Sequence, residues 1–145
     1  MISVMRSPSH LLLYLPKRRK SVGEARRAVT ETLKAWGLTG QADDLELTVA
    51  ELCTNVVSHC RVPYAVIAVS LEWTGSALLL QVADPDNKLP KMREVDDLAL
   101  GGRGLHLVAE LSDSWGVRDR VFGKTVWAQF ETGKKSERDI SPWVP

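Results

Sequence analysis

The chain has 145 residues, 44% hydrophobic and 26% charged, the size and balance of one soluble globular domain with its own core. Nineteen basic and eighteen acidic residues leave a formal net charge of +1, so no overall field recruits nucleic acid or an anionic membrane, and binding must come from a local site. The apolar run Leu11 to Leu15 is too short for a signal-peptide core and no stretch approaches the ~20 apolar residues of a membrane span, so a cytoplasmic location is expected.

After a polar start, Leu11 to Pro16 reads as a short strand, and the cations Lys17 to Lys20 read as a solvated turn. Ser21 can cap a helix, since its hydroxyl can accept an orphan amide hydrogen bond and Glu24 follows three residues later, as in a capping box. Val22, Ala25, Val29 and Leu33 then recur at helical spacing until Trp36-Gly37, where glycine tolerates the left-handed conformation that ends a helix. The spacing predicts an amphipathic helix over 21–36. A second helix starts near Asp43, with Leu45, Val49, Leu52 and Val56 on one stripe and Thr48, Glu51, Asn55, Ser58 and His59 on the other side, and it stops at Pro63. Cys53 and Cys60 lie seven residues apart on this helix. At ~1.5 Å rise per residue they stand ~10 Å apart, beyond disulfide reach. With neither CxxC nor HxxxH spacing, both read as core thiols rather than metal ligands.

Tyr64 to Trp73 and Ala77 to Ala83 are rich in β-branched and apolar residues and flank Thr74-Gly75-Ser76, the composition of a hairpin. Asp84 to Arg103 holds two prolines, mixed charges and a closing Gly101-Gly102-Arg103-Gly104, and reads as a long functional loop. Leu105, Leu107, Val108 and Leu111 make a short helix, and Ser114 to Asp119 and Lys124 to Glu131 a final hairpin around Val121-Phe122-Gly123. Four or five strands with three helices predict an α+β two-layer sandwich, a mixed, mostly antiparallel sheet covered on one face by helices. One domain over 1–132 is expected, followed by a mobile tail over 133–145.

Four features could carry chemistry. Glu51 and Asn55 are four apart, so their carboxylate and amide lie side by side on one helix face. An amide oxygen suits Mg²⁺ and a carboxylate can take a proton from a nucleophile, although such a pair taken alone marks a solvated face. Asp84 directly follows an apolar strand, where a carboxylate with apolar walls can accept a hydrogen bond from the exocyclic amine of adenine; by itself Asp84-Pro85 is a turn. The glycines around Arg103 lead into a helix, whose N-terminal amides suit phosphate. A Rossmann fingerprint is excluded because Leu107 stands where its third glycine belongs. Gly123-Lys124-Thr125 is not a P-loop either, since Arg118 replaces the earlier glycine and a strand follows.

In this order the features resemble the GHKL (Bergerat-type) ATPases, and most closely their anti-sigma-factor serine/threonine kinase branch, over about Ser21 to Phe130. Glu51-Leu52-Cys53-Thr54-Asn55-Val56-Val57-Ser58-His59 is similar to the N box. Gly101-Gly102-Arg103-Gly104-Leu105-His106-Leu107-Val108 is similar to the second glycine box, and Gly123-Lys124-Thr125-Val126-Trp127 to the last one. The resemblance implies the histidine-kinase-like ATPase fold, ATP and Mg²⁺ as cofactors, Glu51 as general base and Asn55 as metal ligand. It further implies nucleotide contacts from Asp84, Gly102, Arg103, Gly104, Leu105 and Thr125. The first glycine box departs from the family's Asp-x-Gly-x-Gly: here it is Asp84-Pro85-Asp86-Asn87-Lys88, with both glycines replaced.

The expected function is therefore an anti-sigma regulator that binds Mg-ATP and phosphorylates a serine or threonine of an anti-sigma antagonist, thereby switching its capture of a sigma factor. Pairing of two copies is compatible with this. The alternative, favoured by the altered glycine box, is a regulatory module that binds the same partners without phosphoryl transfer. A nucleotide sensor from a histidine-kinase pathway ranks below both, because the chain has no phosphoacceptor helix or receiver-like segment.

Overall fold

A period of two in Leu11, Leu13 and Leu15 puts three leucines on one strand face, and the computed structural model, which describes residues 2–86 and 104–132, buries all three completely. They lie on β2 (His10–Pro16). It joins β1 (Ser3–Ser7), β3 (Val66–Trp73), β4 (Ala77–Asp84), β5 (Ser114–Asp119) and β6 (Lys124–Glu131) in a six-stranded sheet of order β1-β2-β3-β4-β6-β5. Every pairing among the described residues is antiparallel, so no parallel pair mixes into this sheet. Registers align the apolar positions in rows. Leu11 pairs with Leu71, Leu71 with Leu80 and Leu80 with Ala128, while Leu13, Val69, Val82 and Val126 form the next row.

These rows make the covered face. Above them lie α1 (Arg19–Ala35), α2 (Ala42–His59) and α3 (Gly104–Leu111), whose Val29, Leu33, Leu45, Val49, Leu52 and Val108 close one continuous core. The two-layer α+β expectation holds, with one more strand than expected. The polar lead-in forms β1, which pairs with β2; all five of its residues are exposed, so no apolar alternation marks it in the sequence.

Helix α1 begins two residues before the expected start, after Arg18, which makes no side-chain cap. Ser21 is not a cap: it is fully buried in the first turn, and its hydroxyl donates to the Pro16 carbonyl at 2.6 Å, tying the helix to the end of β2. Gly37 takes the expected left-handed conformation after the helix, at φ +74°. Lys17 is no solvated turn residue, because its ammonium donates to the Cys60 and Val62 carbonyls at 3.0 and 2.7 Å. It thus serves carbonyls at and beyond the C-terminal end of α2, which that helix cannot satisfy itself. Thr48, expected on the polar side of α2, is buried, and its hydroxyl donates back to the Asp44 carbonyl. Cys53 and Cys60 are buried free thiols, as expected. No described helix is long and apolar enough to cross a membrane.

Candidate functional site

Strand alternation decides what the end of β4 presents. Asp84 is in phase with Leu80 and Val82, so its carboxylate points to the helix side of the sheet. Its register partner is Lys124, the first residue of β6, in phase with Val126, Ala128 and Phe130. The Lys124 ammonium lies 3.1 Å from Asp84 Oδ2 and also donates to the Asp86 carbonyl at 2.8 Å. Asp84 Oδ1 accepts the Asp86 N–H at 2.8 Å. Asp84 is only 6% exposed and Lys124 5%. Such a pair gains little net stability after both charges are desolvated, yet removing either partner strands the other charge.

Two further contacts fix this corner. Asp86 Oδ2 accepts the backbone N–H of Arg61, which joins the exit of β4 to the chain just past α2. Cys60, the C-cap of α2, sits beside Asp84; burial raises its thiol pKa, and the hydrogen bond and charge of Asp84 push the same way. Gly123, at φ +99°, lies flat on the Asp84-Pro85 backbone, where a Cβ would overlap the Asp84 carbonyl oxygen.

On α2, Glu51 and Asn55 are half-buried one turn apart, and Asn55 precedes Cys60 by five residues, about 7.5 Å along the axis at the standard rise. Helix α3 packs on α2 and starts at Gly104. The segment 87–103 is therefore flanked by Asp86, which is held to the chain just past α2, and by α3, which packs on α2 directly. Gly101, Gly102, Arg103, Asn87 and Lys88 lie outside the described residues, as does the tail 133–145. The Leu105 side chain is buried in the core, so a ligand would meet its backbone, in the helix turn whose amides lack intrahelical partners.

Thr125 is not brought to Asp84. It alternates onto the opposite sheet face, in register with Ala83 and Arg118, and Lys124 takes the position facing Asp84. Lys124 is the site residue absent from the expected set. Its signal is present in the sequence: counting back by twos from Phe130, Ala128 and Val126 lands on a lysine in the core-facing phase.

Among the described residues no cluster of three or more His, Cys, Asp or Glu could cage a metal. Mg²⁺ is commonly held by one or two protein oxygens together with substrate phosphates, and Asn55 offers a neutral oxygen of the right kind. Asn55 and the start of α3 thus offer groups that fit a magnesium nucleotide, while the Asp84 carboxylate is already engaged by Lys124 and the Asp86 N–H.

The profile of the histidine kinase-like ATPase domain matches residues 15–130. Among solved structures, the chain is similar to the crystal structure of the RsbU and RsbW domains of a Mycobacterium tuberculosis protein, with a TM-score of 0.64 and 17% identity. That likeness, which concerns the fold, covers 82% of this chain and 32% of the other, so the chain spans about a third of that protein. No curated protein matches it. With most of its length matched by the profile and its sheet and helices arranged accordingly, the chain belongs to the histidine kinase-like ATPase domain family.

Proposed function

We propose that the chain is a nucleotide-switched regulator of the anti-sigma type. It binds Mg-ATP along α2 and α3, phosphorylates a seryl or threonyl hydroxyl of an anti-sigma antagonist, and is thereby freed to capture a sigma factor. The observation that carries this reading is the half-buried Glu51 and Asn55 pair on α2, the helix against which α3 packs. Membership of the ATPase domain family and the likeness to an RsbW domain support it.

Each residue has a defined task. The Asn55 amide oxygen holds the magnesium ion, and the Glu51 carboxylate accepts the proton of the attacking hydroxyl. Backbone amides at the start of α3, from Gly104 and Leu105, together with Gly102 and Arg103, steady the phosphates and the charge that builds on transfer. Bound ATP supplies the transferable γ-phosphoryl group.

The test is mass spectrometry of a candidate antagonist incubated with the chain and Mg-ATP. Glu51→Gln keeps the side chain's shape, so it should retain nucleotide and lose transfer by ~100-fold or more. An antagonist that binds the unmodified chain but is never phosphorylated would contradict the kinase reading. It would favour the second reading, a partner-binding module without transfer, for which the buried Lys124 and Asp84 pair speaks.

A further inference from the structure

Asp84 stands where a base-reading carboxylate belongs, yet another group already holds it. We infer that Lys124 controls base recognition in this chain: its ammonium makes the hydrogen bond to Asp84 that the exocyclic amine of a purine would make, and a base is read only when Lys124 is displaced. This rests on the nucleotide reading given above.

The geometry supports it at several points. Lys124 and Asp84 are directly opposed across β4 and β6, both on the helix side, with 3.1 Å between ammonium and carboxylate. The other carboxylate oxygen is taken by the Asp86 N–H. Lys124 is anchored a second time, on the Asp86 carbonyl, and the Asp86 carboxylate is held by the Arg61 N–H. The residue that replaces a glycine of the family's first box and the lysine of the last box thus form one network. Its room is limited too, because both charged residues are buried and the Gly123 backbone lies against Asp84-Pro85.

An incoming amine would bring only a neutral donor to the carboxylate, whereas the ammonium brings a full positive charge to the same oxygen, and displacing it would leave that buried charge without its partner. The base therefore contributes little, and affinity comes from the phosphates and magnesium. The chain would take purine triphosphates with little regard to the group at position 6.

The experiment compares three probes in Mg²⁺ by calorimetry: ATP, purine riboside triphosphate, which lacks only the amine, and tripolyphosphate. On the unmodified chain ATP and its amine-free analogue should bind within about threefold of each other, since Asp84 contributes no net bond. A preference for ATP of about tenfold or more, the worth of one hydrogen bond to a free carboxylate, would overturn the inference and leave the nucleotide reading standing. Lys124→Met removes the ammonium and keeps much of the stem. It should gain about tenfold for ATP over the analogue, with tripolyphosphate unchanged. A folded Lys124→Met without that gain would also overturn the inference. Should the variant not fold, the unmodified chain decides alone. Absence of binding by all three probes to the folded chain would overturn the nucleotide reading, and the inference with it.

Discussion

Gly123 reports on how β6 is seated against β4 at the candidate site. Its φ is +99°, and a Cβ there would overlap the Asp84 carbonyl oxygen and come within 2.6 Å of Pro85 Cα and 2.8 Å of its carbonyl carbon. Gly75, in the hairpin between β3 and β4, has nearly the same φ, +96°, with nothing within 4 Å of an added Cβ. Alanine at Gly75 therefore measures backbone strain alone, about 1–2 kcal/mol. Alanine at Gly123 adds a collision with main-chain atoms that no rotamer can relieve. If β4 and β6 part enough to separate Lys124 from Asp84, the stranded buried charges cost about 3–5 kcal/mol more. Against a total stability of about 5–15 kcal/mol this is a large share. Thermal unfolding followed by circular dichroism should place Gly123→Ala roughly 10 °C below Gly75→Ala, taking about 3 °C per kcal/mol. Equal midpoints for the two variants would refute this seating of the β5–β6 turn on the Asp84-Pro85 backbone.

Two further outcomes are expected. Burial raises the Cys53 thiol to about 12, so above the ordinary thiol range the unfolded chain releases a proton that the native chain keeps. This contribution is complete below about pH 8.5, the ordinary thiol pKa of the unfolded chain, and is lost as pH rises towards 12, at about 1.4 kcal/mol per pH unit. Urea unfolding between about pH 9 and 11 should therefore show a shallower loss of stability for Cys53→Ala than for the parent; parallel slopes would contradict it. Lys17→Met leaves the Cys60 and Val62 carbonyls without their donor and should cost about 1–3 kcal/mol in the same assay, whereas a solvated lysine would cost nothing measurable.

Much of the fold is legible because apolar periodicity is strong where the core is. The twos of Leu11, Leu13 and Leu15 and the helical spacing of Leu45, Val49, Leu52 and Val56 name elements that the structure contains. β1 is silent because an exposed edge strand, held by backbone pairing to one neighbour, has no buried face to record. Ser21 misleads because cap chemistry and a hydroxyl bonded back to Pro16 require the same residue type. At the site, the helix spacing of Glu51 and Asn55 can be read locally, and so can Asp84 at a strand end. Lys124 needs two facts together, the phase of β6 and its register against β4. Only the second, a long-range pairing, places an ammonium on Asp84.

Whether the chain holds a magnesium nucleotide is the question on which the rest depends. Calorimetric titration of the unmodified chain with ATP, once in Mg²⁺ and once in chelator, answers it most directly. The arrangement of Asn55 and α3 predicts saturable binding that is stronger with Mg²⁺, and an Asn55→Ala variant that is folded yet has lost the magnesium-dependent gain. No saturable binding to the folded chain in either buffer, or a magnesium gain untouched by Asn55→Ala, would contradict it.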